Sequence, residues 1–94
     1  MMEIEQAVKN GDYYFTIHGI KRSEQRRNVE EIQVINILRS KIKYHERRKD
    51  TYSEKFKTWN YAIRGKSVDD ENIRIILSFD ESDMLIITVI NLSE

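Results

Sequence analysis

Apolar residues recur at helical spacing at the start of the chain. Met1, Ile4, Ala7 and Val8 form one stripe, and Asn10-Gly11 follows as a stop signal, so a short amphipathic helix is predicted over residues 2–10. Tyr13-Tyr14-Phe15 is an apolar, extended lead-in. Thr16 suits the N-cap of a second helical stretch, to which Ile17 and Ile20 give an apolar edge. Asn28 followed by Glu31 is a capping-box pattern, and it starts a helix over residues 29–40. Val29, Ile32, Ile35 and Leu38 make its inner stripe, widened by Val34 and Ile37. Arg39, Lys41 and Lys43 fall at its C-terminal end, where cations suit the helix dipole.

The period then changes to two. Lys43, His45, Arg47 and Lys49 fall on one face of an extended segment, with Tyr44, Glu46 and Arg48 on the other. Trp59, Tyr61 and Ile63 alternate with Asn60, Ala62 and Arg64; Ile73, Ile75, Leu77 and Phe79 alternate with Arg74, Ile76 and Ser78. Met84 to Leu92 is apolar on both faces, as a central strand should be. Asp80-Glu81-Ser82-Asp83 is a tight polar turn that makes the last two strands a hairpin, and Gly65 to Asn72 reads as a longer polar loop. The expected fold is α+β: two or three N-terminal helices packed on a three- to four-stranded, mostly antiparallel sheet, in one domain spanning residues 1–94.

Composition narrows the classes. The 94 residues contain no cysteine, which removes disulfides and thiolate metal sites. Met1-Met2-Glu3-Ile4-Glu5 lacks the features of a signal peptide, and no apolar run approaches the roughly 20 residues that span a bilayer, so a cytoplasmic protein without a membrane partner is expected. Three glycines provide neither a phosphate-cradling loop nor a nucleophile elbow. Asp69-Asp70-Glu71 and Asp80-Glu81-Ser82-Asp83 lack calcium-loop spacing, and two isolated histidines give no zinc pattern. No metal site and no cofactor is expected.

Net charge is zero but unevenly spread. Residues 1–20 carry one basic and three acidic groups, residues 21–49 ten and four, and residues 50–94 five and nine. A net +6 in the middle third points to a localised polyanion-binding face. Within it, His18, Arg22 and Arg26 stand at i, i+4 and i+8 of the predicted cationic helix, with Gln25 beside them. Like charges so spaced repel by roughly 0.2–0.5 kcal/mol per pair, which packing alone does not reward. Metal-free RNA cleavage needs a base for the 2′-hydroxyl, an acid for the leaving oxygen and cations on the phosphate, and these residue types supply them. The plainer reading is a solvated charge run with a structural histidine at the helix start.

A second constellation is Lys43, His45, Arg47 and Lys49, which could track a nucleic-acid backbone or simply protect a sheet edge. Lys21, Arg27 and Arg64 complete the set expected to contact RNA, and Tyr61 with Arg64 could face the same cleft. Trp59, Tyr52 and Phe56 could stack bases, or serve as half-buried sheet residues.

Thr16-x-His18, then Arg22 and Gln25-Arg26, a capped helix, and a hairpin ending in Leu85-Ile86-Ile87-Thr88-Val89 together resemble the family called domain of unknown function 4258, over roughly residues 13–92. The likeness implies a branch of the RelE/ParE-type toxin fold, whose members include ribosome-dependent and free mRNA endonucleases as well as gyrase inhibitors. It places the family's histidine on His18 and its arginines on Arg22 and Arg26. Gly19 stands where the family usually has Ala, and Arg26-Arg27-Asn28-Val29 is one residue longer than the usual Arg-Gly-Ile. The expectation is a toxin-like, metal-independent endoribonuclease of a toxin–antitoxin pair. His18, Arg22, Arg26 and His45 would be catalytic, with RNA (free or on the ribosome) and a cognate antitoxin as partners. The alternative is a non-catalytic binding module of the same fold.

Overall fold

Helix α1 spans Met2–Asn10, with Glu3 and Glu5 in its first turn and Lys9 in its last, each matched to the dipole. It ends in a Schellman motif: Gly11 takes φ +74°, its N–H donates to the Val8 carbonyl at 3.3 Å, and the Asp12 N–H donates to Ala7 at 2.8 Å. The computed structural model describes residues 2–16, 31–81 and 83–93. The expected cationic stretch from Ile17 to Arg27, and Asn28 and Val29 after it, lie outside the described residues.

From Asp12 the chain enters strand β1, Tyr13–Phe15. Helix α2 covers Glu31–Arg39. Strand β2, Tyr44–His45, is followed by a 3-10 turn over Arg47–Lys49 and by β3, Thr51–Ser53. Three longer strands complete the fold: β4 (Thr58–Lys66), β5 (Asn72–Phe79) and β6 (Met84–Asn91).

The described residues form an α+β fold with two helices and six strands in the order β1-β6-β5-β4-β2, with β3 also on β4. The expected sheet was smaller, and its mostly antiparallel pairing holds for every pair but β1 with β6. The observed one is mixed because β1 runs parallel to β6, with Tyr13, Tyr14 and Phe15 opposite Met84, Leu85 and Ile86. The N–H of Thr16, expected as a helix N-cap, donates to the Ile86 carbonyl at 3.0 Å and continues that ladder. The loop between β4 and β5 is shorter than expected, because β4 runs to Lys66 before the turn at residues 67–71.

One face of the sheet carries the core. Ile63, Ile73, Ile75, Leu77, Met84, Ile86 and Val89 meet Ile4 and Val8 of α1 and Val34, Ile35, Ile37 and Leu38 of α2. Each such side chain contributes about 1.5–3 kcal/mol on burial. Ile86 and Val89 both point inward although three apart, because Ile76 pairs Thr88 while Leu77 pairs Ile86, leaving Ile87 as an extra residue in β6. The expected inner stripe of α2 is corrected at Ile32, which is 59% exposed. The buried face is centred instead on Val34, Ile35, Ile37 and Leu38.

Candidate functional site

The four cations expected on one extended face do not share one. Only Tyr44 and His45 are extended; the chain then turns through Arg47–Lys49, with the Lys49 N–H donating to Glu46 and the Asp50 N–H to Arg47. The turn folds Asp50 back onto the histidine five residues before it. His45 Nε2 lies 2.7 Å from Asp50 Oδ2 and 3.0 Å from Oδ1. A carboxylate only accepts, so Nε2 carries the proton and Nδ1 holds the lone pair of the neutral ring. Asp50 is itself fixed, since its Oδ1 accepts the Ala62 N–H at 3.0 Å. His45 Nδ1 makes no hydrogen bond with any described residue.

His45 opens onto a cavity of about 340 Å³ between α1 and the end of the sheet. Tyr61, Ile63, Leu77 and Phe79 line its floor, and Glu3 and Ile4 of α1 its side. The Tyr61 ring stands edge-on to the imidazole, centroids 5.7 Å apart. Arg47, Arg48 and Lys49 are exposed on the turn between His45 and Asp50. A nitrogen base oriented by a carboxylate thus lines a cavity, and three exposed cations follow it in the chain on the turn that leads to that carboxylate.

The other expected residues are placed differently. Lys43 is buried: its ammonium donates to the Ser40 carbonyl at the end of α2 and lies 3.5 Å from Glu5 on α1, so it ties two helices together rather than facing a ligand. Tyr61 and Arg64 do not share a cleft, because a three-residue offset in a strand puts them on opposite faces. Arg64 donates through Nη1 to Glu46 at 3.2 Å, and its cross-strand neighbour Arg74 donates to the same carboxylate. The bonded Arg74 guanidinium holds the Glu46 carboxyl below its ordinary value; burial opposes this, and Arg64 adds to the lowering. His18, Lys21, Arg22, Arg26 and Arg27 lie outside the described residues.

Asp50, Glu46 and Arg74 were not among the residues expected at a site. The spacing His45-x4-Asp50 was the signal for the first; the other two needed strand register to bring them together. Among the described residues, no three His, Asp or Glu side chains converge as a metal group would require. No described helix is long and apolar enough to cross a membrane.

A domain of unknown function, DUF4258, matches residues 1–91, and the chain belongs to this family. No curated protein and no solved structure matches the chain.

Proposed function

We propose that this protein is a small RNA-cleaving, toxin-like protein that uses acid–base chemistry without a metal, from the RelE/ParE-like branch of its fold class. The observation that carries this reading is the Asp50-oriented His45 at the cavity, flanked by the exposed Arg47-Arg48-Lys49 turn. The turn draws the phosphodiester in, and His45 Nδ1 accepts the proton of the neighbouring 2′-hydroxyl. The 2′-oxygen bonds to phosphorus, the bond to the 5′-oxygen breaks, and that oxygen takes a proton from a second group. His18 is the candidate for that acid, with Arg22 and Arg26 as further phosphate cations. Helices on one face of a largely antiparallel sheet support the RelE/ParE-like assignment, and the basic face suits an acidic antitoxin in the cytoplasm.

The second reading is a non-catalytic binding module, favoured by the bond from Ala62 to Asp50, which also makes that carboxylate a brace for the corner. The test is total RNA incubated with purified protein, with and without EDTA, beside His45→Ala and His18→Ala. Fragments that persist in EDTA and disappear in the variants support cleavage. Intact RNA in every lane, with RNA affinity retained, supports the binding module.

A further inference from the structure

Strands β3 and β4 continue past the cavity as a hairpin whose aromatic residues are outside the core. Tyr52 and Trp59 sit directly opposite each other in register, their ring centroids 5.5 Å apart at 69°. Each is 48% exposed. Trp59 stands two residues before Tyr61 on β4, so both project from the face that carries His45, about 7 Å apart along the strand. Exposed aromatic surface of this size costs free energy unless something covers it. The surroundings indicate the chemistry of the cover. Residues 47–59 contain Arg47, Arg48, Lys49, Lys55 and Lys57 against Asp50 and Glu54, and Asp50 is already held by His45 and Ala62. Five cations against two acids in the segment that carries both exposed rings fit a polyanion whose own rings are free to stack, which duplexes do not offer.

We propose that the Tyr52–Trp59 pair is a stacking platform for an unpaired base of single-stranded RNA, placed so that the adjoining phosphate reaches the Arg47–Lys49 turn and His45. The proposal rests on the RNA-acting reading above and assigns its substrate class. Trp59 is the chain's one tryptophan and reports directly on the site. The test titrates the full chain with a 2′-O-methyl oligouridylate strand, which cannot be cleaved by 2′-hydroxyl attack, with a duplex of equal phosphate content, and with inorganic polyphosphate. The single strand should quench Trp59 emission and the other two should not. Tyr52→Ala, in which Trp59 still reports fold and binding, should weaken single-strand binding roughly tenfold and leave polyphosphate binding unchanged. Equal quenching by polyphosphate, or unchanged affinity in both Tyr52→Ala and Trp59→Ala, overturns the platform. Failure of all three ligands to bind overturns it in favour of a protein partner. If the uncleavable strand binds with quenching while ordinary RNA stays intact, the platform stands and the cleavage reading falls.

Discussion

Arg74 grips Glu46 through two parallel hydrogen bonds, Nε to Oε1 at 2.8 Å and Nη2 to Oε2 at 3.1 Å, joining β5 to the short strand segment that carries His45. Arg64 completes the cluster from β4. Removing the carboxylate leaves two guanidinium groups side by side, so Glu46→Gln should cost about 1–3 kcal/mol. The pH dependence has a definite sign. The bond to Arg74 holds the folded-state pKa of Glu46 below its ordinary 4.5, so its contribution is present above that value and is lost as pH falls through the lowered one. Melting temperature should therefore separate wild type from Glu46→Gln at neutral pH, and the gap should narrow in acid. A gap independent of pH would contradict the ionic origin.

Helix α2 packs closely on β4 at Gly65. A Cβ at this position would lie 2.5 Å from Ile37 Cγ2, a side chain buried in the core. Ile37 is held in the packed core, so Gly65→Ala should cost about 1–3 kcal/mol, read as a fall of roughly 4–8 °C in Tm per kcal/mol. Ile37→Ala takes away the colliding Cγ2 methyl, so the double variant Gly65→Ala, Ile37→Ala should cost less than the sum of the two single variants. An unchanged melting temperature in Gly65→Ala would mean that α2 shifts freely.

How much of this was legible depends on how local each signal is. The α1 stripe and its glycine stop, the alternation from Ile73 to Phe79 and the Asp80–Asp83 turn are written in neighbouring residues, and each folds as the pattern predicts. The parallel pairing of β1 was not legible, because three residues carry no register and their partners lie about seventy positions away. The turn at Arg47–Lys49 was missed because it contains no glycine, proline or asparagine. That omission hid the His45–Asp50 pair.

Lys43 and Arg47 should separate under salt. Lys43 is spent on Ser40 and Glu5, whereas Arg47 is exposed beside the proposed site. On single-stranded RNA, each phosphate contact contributes about 0.7 to the slope of log affinity against log salt concentration. Arg47→Ala should lower that slope by about this amount and leave stability within roughly 0.5 kcal/mol. Lys43→Ala should do the reverse: slope unchanged, and stability reduced by about 1–3 kcal/mol as Glu5 and the α2 terminus lose their shared donor. Equal slopes for Arg47→Ala and wild type would remove the turn from the RNA surface.

Asp50 has two duties that a single substitution can divide. One oxygen accepts the Ala62 N–H and shares His45 Nε2 with the other. Asp50→Asn keeps an oxygen for Ala62 and a polar group of the same size, so the corner should hold. The amide nitrogen, however, donates where the carboxylate accepts, which turns the neutral imidazole toward the tautomer with its proton on Nδ1. Nδ1 then cannot accept a proton from a 2′-hydroxyl. If His45 is the base, Asp50→Asn should reduce the rate of RNA cleavage by about 10²–10⁴-fold with little change in melting temperature or RNA affinity. Asp50→Ala should lose both the rate and the corner's stability. Cleavage at the wild-type rate by Asp50→Asn would leave Asp50 with only its bracing role and move the proton transfer elsewhere, with His18 the next residue to substitute.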